Sequence, residues 1–185
     1  MNKWISEYID EYRRVLAAMP VDQVESLIKK LKKSLDGDSK IFVIGNGGSA
    51  ANASHFVTDL GKSASDAVGR RFQCMSLNDN VSWMTALGND YDYEDIYQQQ
   101  LVNFAKPNDL LIVLSVSGNS PNVVEALKVG NQLNMETFAI VGFDGGVCLD
   151  LAQRAIHFPV NDMQLAEDLQ LISGHMCMQC LALET

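Results

Sequence analysis

The stretch that most constrains the fold is residues 40–60, which predict a strand, a glycine-rich turn and a helix in immediate succession. The apolar run 41–44 is bounded by turn residues and predicts a short buried strand. Three glycines, Gly45, Gly47 and Gly48, then interrupt it, and alanine-rich sequence of high helix propensity follows. This order points backbone N–H groups and the positive end of a helix dipole at one spot. Because Gly47 and Gly48 lack a Cβ, phosphate or sugar oxygens can approach the backbone there.

Four more strand-like segments alternate with helix-like segments along the chain. The later strands are predicted at residues 72–77, 110–114, 137–141 and 155–158. Amphipathic spacing predicts a helical hairpin in residues 1–36 and further helices at 80–87, 94–104, 122–133 and 164–183. A short helix precedes the fifth strand, and polar residues 61–71 predict a loop over the site. This alternation predicts an α/β fold, a three-layer α/β/α sandwich around a five-stranded parallel sheet, in a single domain of residues 1–185.

Composition limits the partners that the chain is expected to have. The formal net charge of −9 argues against nucleic acid, although oriented loop dipoles still permit an anionic substrate. No apolar stretch approaches the roughly 18 residues that a membrane span needs. The first residues lack the apolar core of a signal peptide. We therefore expect a cytoplasmic protein that binds neither membrane nor nucleic acid.

Two clusters of reactive or charged residues have simple structural interpretations. Cys177 and Cys180 have CxxC spacing, but they lie in helical sequence without a preceding strand, which favours structural thiols over a redox motif. Four lysines crowd the second predicted helix, at positions 29, 30, 32 and 33. A solvated helix face explains them better than a patch for an acidic partner.

A second candidate binding turn follows the third predicted strand. Ser115, Ser117 and Ser120 surround Gly118 at the carboxyl end of that strand, where open α/β sheets bind ligands. Their hydroxyls and the free N–H groups of the next helix can converge on one anion. The alternative is that Ser120 only caps the helix and the other two serve the turn. Three serines with a glycine favour the anion site, which we predict holds a phosphate.

The glycine-rich turn also fits the dinucleotide pattern GxGxxA, which is weak by itself. The acidic partner of that pattern is expected about 20 residues further on, at the end of the second strand. Asp79 is the available candidate, and it lies 34 positions after Gly45. The chain also leaves no room for a separate substrate domain, so a nicotinamide enzyme is disfavoured.

Four polar side chains are candidates for catalysis or metal binding. His55 and Asp59 are four residues apart and share one face of the helix after the glycine turn. Glu167 and His175 are eight residues apart on the final helix, about 12 Å along its axis. They can grip one ion or substrate only from opposite sides of it. A lone His or Asp on a helix is more often structural, so spacing alone leaves both roles open.

Two segments together resemble a known family. GNGGSAANASHF (residues 45–56) and LSVSGNSPNVVEAL (114–127) are similar to the signature segments of the sugar isomerase (SIS) domain, and most similar to its phosphoheptose isomerase group. This resemblance implies a flavodoxin-like SIS fold and conversion of sedoheptulose 7-phosphate to D-glycero-D-manno-heptose 7-phosphate. It also implies a homotetramer with active sites at subunit interfaces, a role that suits the helical hairpin 1–36. The alternative is a non-catalytic SIS protein that binds a sugar phosphate or a protein partner, as relatives associated with the replication initiator do.

The resemblance also implies roles for individual residues. The family carries a histidine and, four residues later, a glutamate on its first site helix, and a glutamine and, eight later, a histidine on its last. His55 and His175 match, whereas Asp59 replaces the glutamate and Glu167 the glutamine. Asp59 and His175 are thereby the expected acid/base pair, and Val116 stands where the serine turn usually has threonine. The expected contacts to sugar hydroxyls are Asn46, Ser49, Asp90 and Glu167.

The same four side chains are the expected metal ligands. Two imidazoles and two carboxylates suit one divalent ion, most naturally zinc. Without a cation, Asp59 and Glu167 would repel each other in a partly desolvated pocket. The sequence therefore predicts one zinc ion held by His55, Asp59, Glu167 and His175.

Overall fold

A five-stranded parallel sheet forms the middle layer of the molecule. The computed structural model describes residues 1–183. The strands are β1 (Ile41–Gly45), β2 (Cys74–Ser76), β3 (Leu110–Ser115), β4 (Glu136–Val141) and β5 (Arg154–His157). Their order is β2-β1-β3-β4-β5, and every neighbouring pair is parallel. The predicted three-layer α/β architecture and its five strands are confirmed.

Helices cover both faces of this sheet. They are α1 (Asn2–Ala17), α2 (Val21–Asp36), α3 (Gly48–Thr58), α4 (Ser65–Val68), α5 (Val81–Asp90), α6 (Gln98–Phe104), α7 (Pro121–Gln132), α8 (Gly146–Leu151) and α9 (Met163–Leu183). One core cluster joins one face of the sheet to α2, α3 and α9, and a second joins the other face to α6, α7 and α8. Alternate residues of one strand serve the two cores: Ile41 faces the first and Phe42 the second. Strands buried on both faces explain why their sequences are continuously apolar.

The strand order places one crevice at the carboxyl edge of the sheet. From β1 the chain passes to β2 on one side, and it later adds β3 on the other side. The connections after β1 and β3 therefore diverge, and a gap opens between them. Gly45 pairs in register with Leu114, so the two strands end side by side. This geometry brings the glycine turn (residues 45–49) and the serine turn (residues 115–120) together.

Two predicted segments differ from the structure. The segment 61–71 is not a loop, since residues 59–64 form a π-helix (Asp59–Ala64) that continues into α4. Ser65 stabilises this turn, because its hydroxyl donates to the Leu60 carbonyl and accepts from the Phe72 N–H. The predicted helix 94–104 is divided into a 3₁₀ turn, Tyr93–Asp95, and α6.

The cysteines and lysines have largely structural roles. All four cysteines are free, Cys148 and Cys177 are buried, and burial raises the pKa of Cys177 to about 12. Among the lysines, Lys33 is mostly exposed, as predicted. The prediction of a solvated helix face is wrong for Lys30. Its side chain is only 19% exposed and pairs with Glu136. Within residues 1–183, no helix has both the length and the apolar character that crossing a bilayer requires.

Candidate active site

The serine turn is built as an anion cradle at the beginning of α7. The Ser115 hydroxyl accepts the Gly118 N–H at 3.1 Å, and the Ser117 hydroxyl accepts the Asn119 N–H at 3.2 Å. Each hydroxyl therefore has its own proton left to donate to a ligand. Ser120 is the N-cap of α7, but its side chain makes no capping hydrogen bond. Gly118 is required here, since its φ is +65° and a Cβ would lie 1.9 Å from the Gly145 carbonyl oxygen.

The glycine turn is tied to the serine turn by a reciprocal amide pair. Asn46 Nδ2 donates to Asn122 Oδ1 at 2.8 Å, and Asn122 Nδ2 donates back to Asn46 Oδ1 at 2.9 Å. The Tyr97 hydroxyl lies 3.2 Å from the same Asn46 oxygen. Asn122 is buried, so this pair fixes the two turns relative to each other.

A cavity of about 160 Å³ lies between the two turns. Its polar lining residues are Asn46, Ser49, Ser115, Ser117, Ser120 and Glu167. Four apolar side chains complete the wall, from Leu114, Val116, Phe143 and Met163. Polar groups converging in an otherwise apolar pocket are typical of a small-molecule site.

Helices α3 and α9 run side by side away from this cavity. At the cavity end, the Ser49 hydroxyl donates to Gln170 Oε1 at 3.0 Å. Asn52 Nδ2 donates to the Glu167 carbonyl at 2.9 Å and lies 3.3 Å from the same Gln170 oxygen. These bonds hold the beginning of α3 against α9 and fix the Ser49 hydroxyl as a donor to the protein.

Farther along the two helices, three side chains form a His–Asp–His cluster. His55 Nε2 and His175 Nε2 lie 3.0 Å apart, and Asp59 Oδ2 lies 3.3 Å from the first and 3.6 Å from the second. All three ligand-type atoms lie within 4.8 Å of one another, so the group can hold a metal ion. The Asp59 side chain is 18% exposed, whereas those of His55 and His175 are 48% and 41% exposed.

The structure thus brings together three of the four predicted metal ligands. Glu167 lies two helical turns before His175 and lines the cavity instead. Asp90, a predicted sugar contact, ends α5 at the surface, where it accepts a hydrogen bond from the Asn89 side chain at 2.8 Å. It is not among the residues that line the cavity. The sugar-binding role of Asp90 stays a prediction.

Sequence reasoning overlooked three residues that support the site. Asn122 directly follows Pro121 after the serine turn, and this position indicates that its side chain lies near the turn. Gln170 comes three residues after Glu167 and shares its helix face, which helical spacing indicates. Tyr97 carried no local signal, because its contact with Asn46 joins residues 51 positions apart.

The arrangement has two chemically distinct ends. Serine hydroxyls and helix N–H groups at the cavity can hold an anion, while the cluster offers a carboxylate and two imidazoles that can exchange protons. Between the level of Glu167 and that of His175, α9 advances by about 12 Å. One extended ligand with an anionic end and a reactive end can contact both.

Comparison with known proteins gives a consistent family assignment. A family model described as the SIS domain matches residues 7–142. The phosphoheptose isomerase of Helicobacter pylori strain 26695 is 33% identical over 161 residues, which covers 86% of this chain and 83% of that protein. A probable phosphoheptose isomerase of Thermoplasma volcanium is 32% identical over 172 residues, 93% of this chain and 87% of its own. The solved structure of a phosphoheptose isomerase from Neisseria gonorrhoeae superposes with a TM-score of 0.90 at 26% identity, covering 97% of both chains.

Proposed function

Since the chain belongs to the SIS domain family, and within it to the phosphoheptose isomerases, we propose that it interconverts sedoheptulose 7-phosphate and D-glycero-D-manno-heptose 7-phosphate. The observation that carries this proposal is the separation between an anion cradle and a proton-exchanging cluster along α3 and α9. In a heptose 7-phosphate, the phosphate and the carbonyl lie at opposite ends of the carbon chain. An extended substrate suits a site in which His175 of the cluster lies about 12 Å along α9 from Glu167, a residue that lines the same cavity as the cradle.

In this proposal the serine turn holds the phosphate. Ser115, Ser117 and Ser120 donate their hydroxyl protons to its oxygens, and the N–H groups at the start of α7 face the same charge. Asn46 and the glycine turn contact hydroxyls along the chain. The Ser49 hydroxyl donates to Gln170, so it meets the sugar as an acceptor.

Asp59 and His175 carry out the proton transfers. One of them removes a proton from the carbon beside the carbonyl, which gives an enediol, and the other returns a proton to the neighbouring carbon. Their side chains approach to 3.6 Å, which supports a pair that acts on one reacting end of the sugar. His55 contacts both partners and can hold them in position.

The donor set fits a divalent metal ion, and zinc is the ion we propose. His55, Asp59 and His175 would hold it through two neutral imidazole nitrogens and one carboxylate oxygen, a common set for zinc. The ion would supply positive charge near the developing oxyanion of the enediol. Glu167 is the fourth ligand predicted from sequence, and it joins the set only if its side chain leaves the cavity wall.

Metal analysis tests this part of the proposal separately. We expect about one zinc ion per chain in protein purified without added metal, and His175→Asn to lower that content sharply. Full metal loading in His55→Asn and His175→Asn, or metal far below one per chain in active protein, would refute the zinc site. A metal-free Asp59–His175 pair would then remain.

We also propose that the protein is a cytoplasmic homotetramer whose active sites lie at subunit interfaces. Apolar side chains stay exposed along α1, with Trp4 65%, Ile5 46% and Ile9 46% exposed, so this helix has a surface suited to a neighbouring chain. The half-exposed histidines of the cluster would be covered by the same assembly. Light scattering coupled to gel filtration should give about four times the chain mass, and a monomer would exclude the proposal.

Turnover of sedoheptulose 7-phosphate is the direct test of the function. We expect the purified protein to convert it to the aldoheptose phosphate, followed by NMR of the product. The alternative, a non-catalytic SIS protein, predicts that the sugar phosphate binds without product at any enzyme concentration. Binding without turnover in metal-loaded protein would therefore favour that alternative.

A further inference from the structure

The Glu167 carboxylate packs against the first residue of α3. A Cβ built on Gly48 would lie 2.3 Å from Glu167 Oε2 and 2.5 Å from Oε1. The carboxylate therefore lies flat against the glycine and fills the space that any larger residue would need. The glycine turn has no Cβ at this point because the carboxylate takes its place.

The Glu167 carboxylate lies beside Gly48, at the amino-terminal end of α3. Backbone N–H groups and the positive end of the α3 dipole favour a negative charge at this position. Among residues 1–183, no hydrogen bond or ion pair to the Glu167 carboxylate is formed, so its oxygens keep their capacity to accept. A half-buried carboxylate that lines a ligand cavity in this way can accept hydrogen bonds from a ligand.

The same cavity contains the serine turn. Ser115, Ser117 and Ser120 offer donors on one wall, and Glu167 offers a fixed negative charge on the other. The two walls therefore make opposite demands on a ligand. A phosphate fits the serine wall, whereas the Glu167 wall suits hydroxyl groups that donate hydrogen bonds and repels a second anion.

We propose that Glu167 is a specificity-determining residue that restricts the site to sugar phosphates whose carbon chain is otherwise neutral. Its carboxylate accepts hydrogen bonds from sugar hydroxyls near the phosphate and excludes phosphorylated sugar acids and bisphosphates. The inference rests on the proposed function only in taking the serine turn as the phosphate site.

A matched pair of ligands tests this inference without relying on catalysis. Erythritol 4-phosphate and 4-phosphoerythronate share one carbon chain and one phosphate, and they differ only in a CH₂OH group against a carboxylate. Calorimetry would measure both affinities in chelator-treated wild type, Glu167→Gln and Glu125→Gln. The last variant removes the same charge from α7 outside the cavity lining, where Glu125 pairs with Lys128. Circular dichroism would confirm that each variant is folded.

Wild type should bind the polyol phosphate at least about tenfold more tightly than the phospho-acid. Glu167→Gln should reduce that ratio to within about threefold, mainly by tightening the phospho-acid, while Glu125→Gln keeps the wild-type ratio. An equal ratio in wild type and Glu167→Gln would overturn the inference. A wild-type preference for the phospho-acid would do so too, because it would mean that a cation neutralises Glu167. If neither compound binds, the serine turn is not a phosphate site, and the inference about Glu167 is overturned as well.

Discussion

Two carboxylates of this molecule each lie close to two nitrogen-bearing side chains, and the two groups differ in their hydrogen bonding. Glu136, at the start of β4, is hydrogen-bonded by Lys30 and by Lys33, the latter at 2.7 Å. Asp59 lies 3.3 Å and 3.6 Å from the histidines of its cluster, and among residues 1–183 no hydrogen bond to its carboxylate is formed. The lysines hold the pKa of Glu136 below its usual range.

The difference separates a structural ion cluster from the cluster that we propose is reactive. Lysines are charged at neutral pH and fix Glu136 as an anion, which joins α2 to the sheet. The two histidine Nε2 atoms lie 3.0 Å apart, close enough for a hydrogen bond between them or for joint binding of one ion. The same kind of grouping therefore contributes stability at Glu136, and in the proposed function it transfers protons at Asp59.

The largest expected effect is on activity at the cluster. His175→Asn removes one of the two proposed proton-transfer groups, and we expect the turnover rate to fall by about 100-fold or more. Substrate affinity should change little, because the serine turn is untouched. Steady-state kinetics and a thermal melt would be measured together.

The matched control for this variant is His157→Asn, since His157 is the remaining histidine of the chain and contacts the Phe143 carbonyl outside the cluster. Near-wild-type turnover in His175→Asn would remove His175 from the mechanism. A comparable loss in His157→Asn would mean that the effect is general destabilisation.

A smaller effect, on stability alone, is expected at Glu136. Glu136→Gln leaves Lys30 partly buried without its anion, and we expect the free energy of unfolding to fall by about 1–3 kcal/mol. Turnover should stay close to wild type. Urea unfolding followed by circular dichroism gives the first quantity, and an activity loss larger than the folded fraction explains would break the contrast between the two clusters.

The same contact predicts a dependence of stability on pH. Because the folded state lowers the pKa of Glu136, its contribution is complete above the unfolded carboxyl pKa of about 4.3 and declines as the pH falls through and below that value. The difference in free energy of unfolding between wild type and Glu136→Gln should therefore shrink as the pH falls from about 6 to about 3, the interval in which carboxyl groups titrate. A difference that is constant or grows on acidification would contradict the ion pair.

The smallest effect is expected at the exposed partner. The Lys33 side chain is 63% exposed, so solvent screens its attraction to Glu136. Lys33→Gln should lower the free energy of unfolding by at most about 0.5 kcal/mol. A loss as large as that of Glu136→Gln would show that Lys33, rather than the more buried Lys30, holds the carboxylate.

The parts of the site that could be predicted are those that local sequence determines. Ser115, Ser117 and Ser120 lie within six residues of one another, and strand, turn and helix follow in the chain as they do in space. Helical spacing places His55 and Asp59 on one face, and a continuous apolar run predicts β1. Each of these inferences needed only the geometry of a single element.

The parts that could not be predicted depend on packing between distant segments. Helical spacing limits the reach of Glu167 and His175, but only the contact of α9 with Gly48 places Glu167 in the cavity rather than beside Asp59. The amide pair of Asn46 and Asn122 joins residues 76 positions apart. A run of charges predicts a solvated Lys30, but its anion, Glu136, comes from β4, which is distant in the sequence.

The central claim, that Asp59 and His175 move a proton through an enediol, is tested most directly by isomerisation in D₂O. The account predicts that wild type incorporates deuterium from solvent at the carbon beside the carbonyl, detected by NMR of sedoheptulose 7-phosphate and its product. Under the same conditions, His175→Asn should incorporate at least about 100-fold more slowly. Isomerisation with no solvent deuterium at that carbon, or incorporation at the wild-type rate in both Asp59→Asn and His175→Asn, would contradict it.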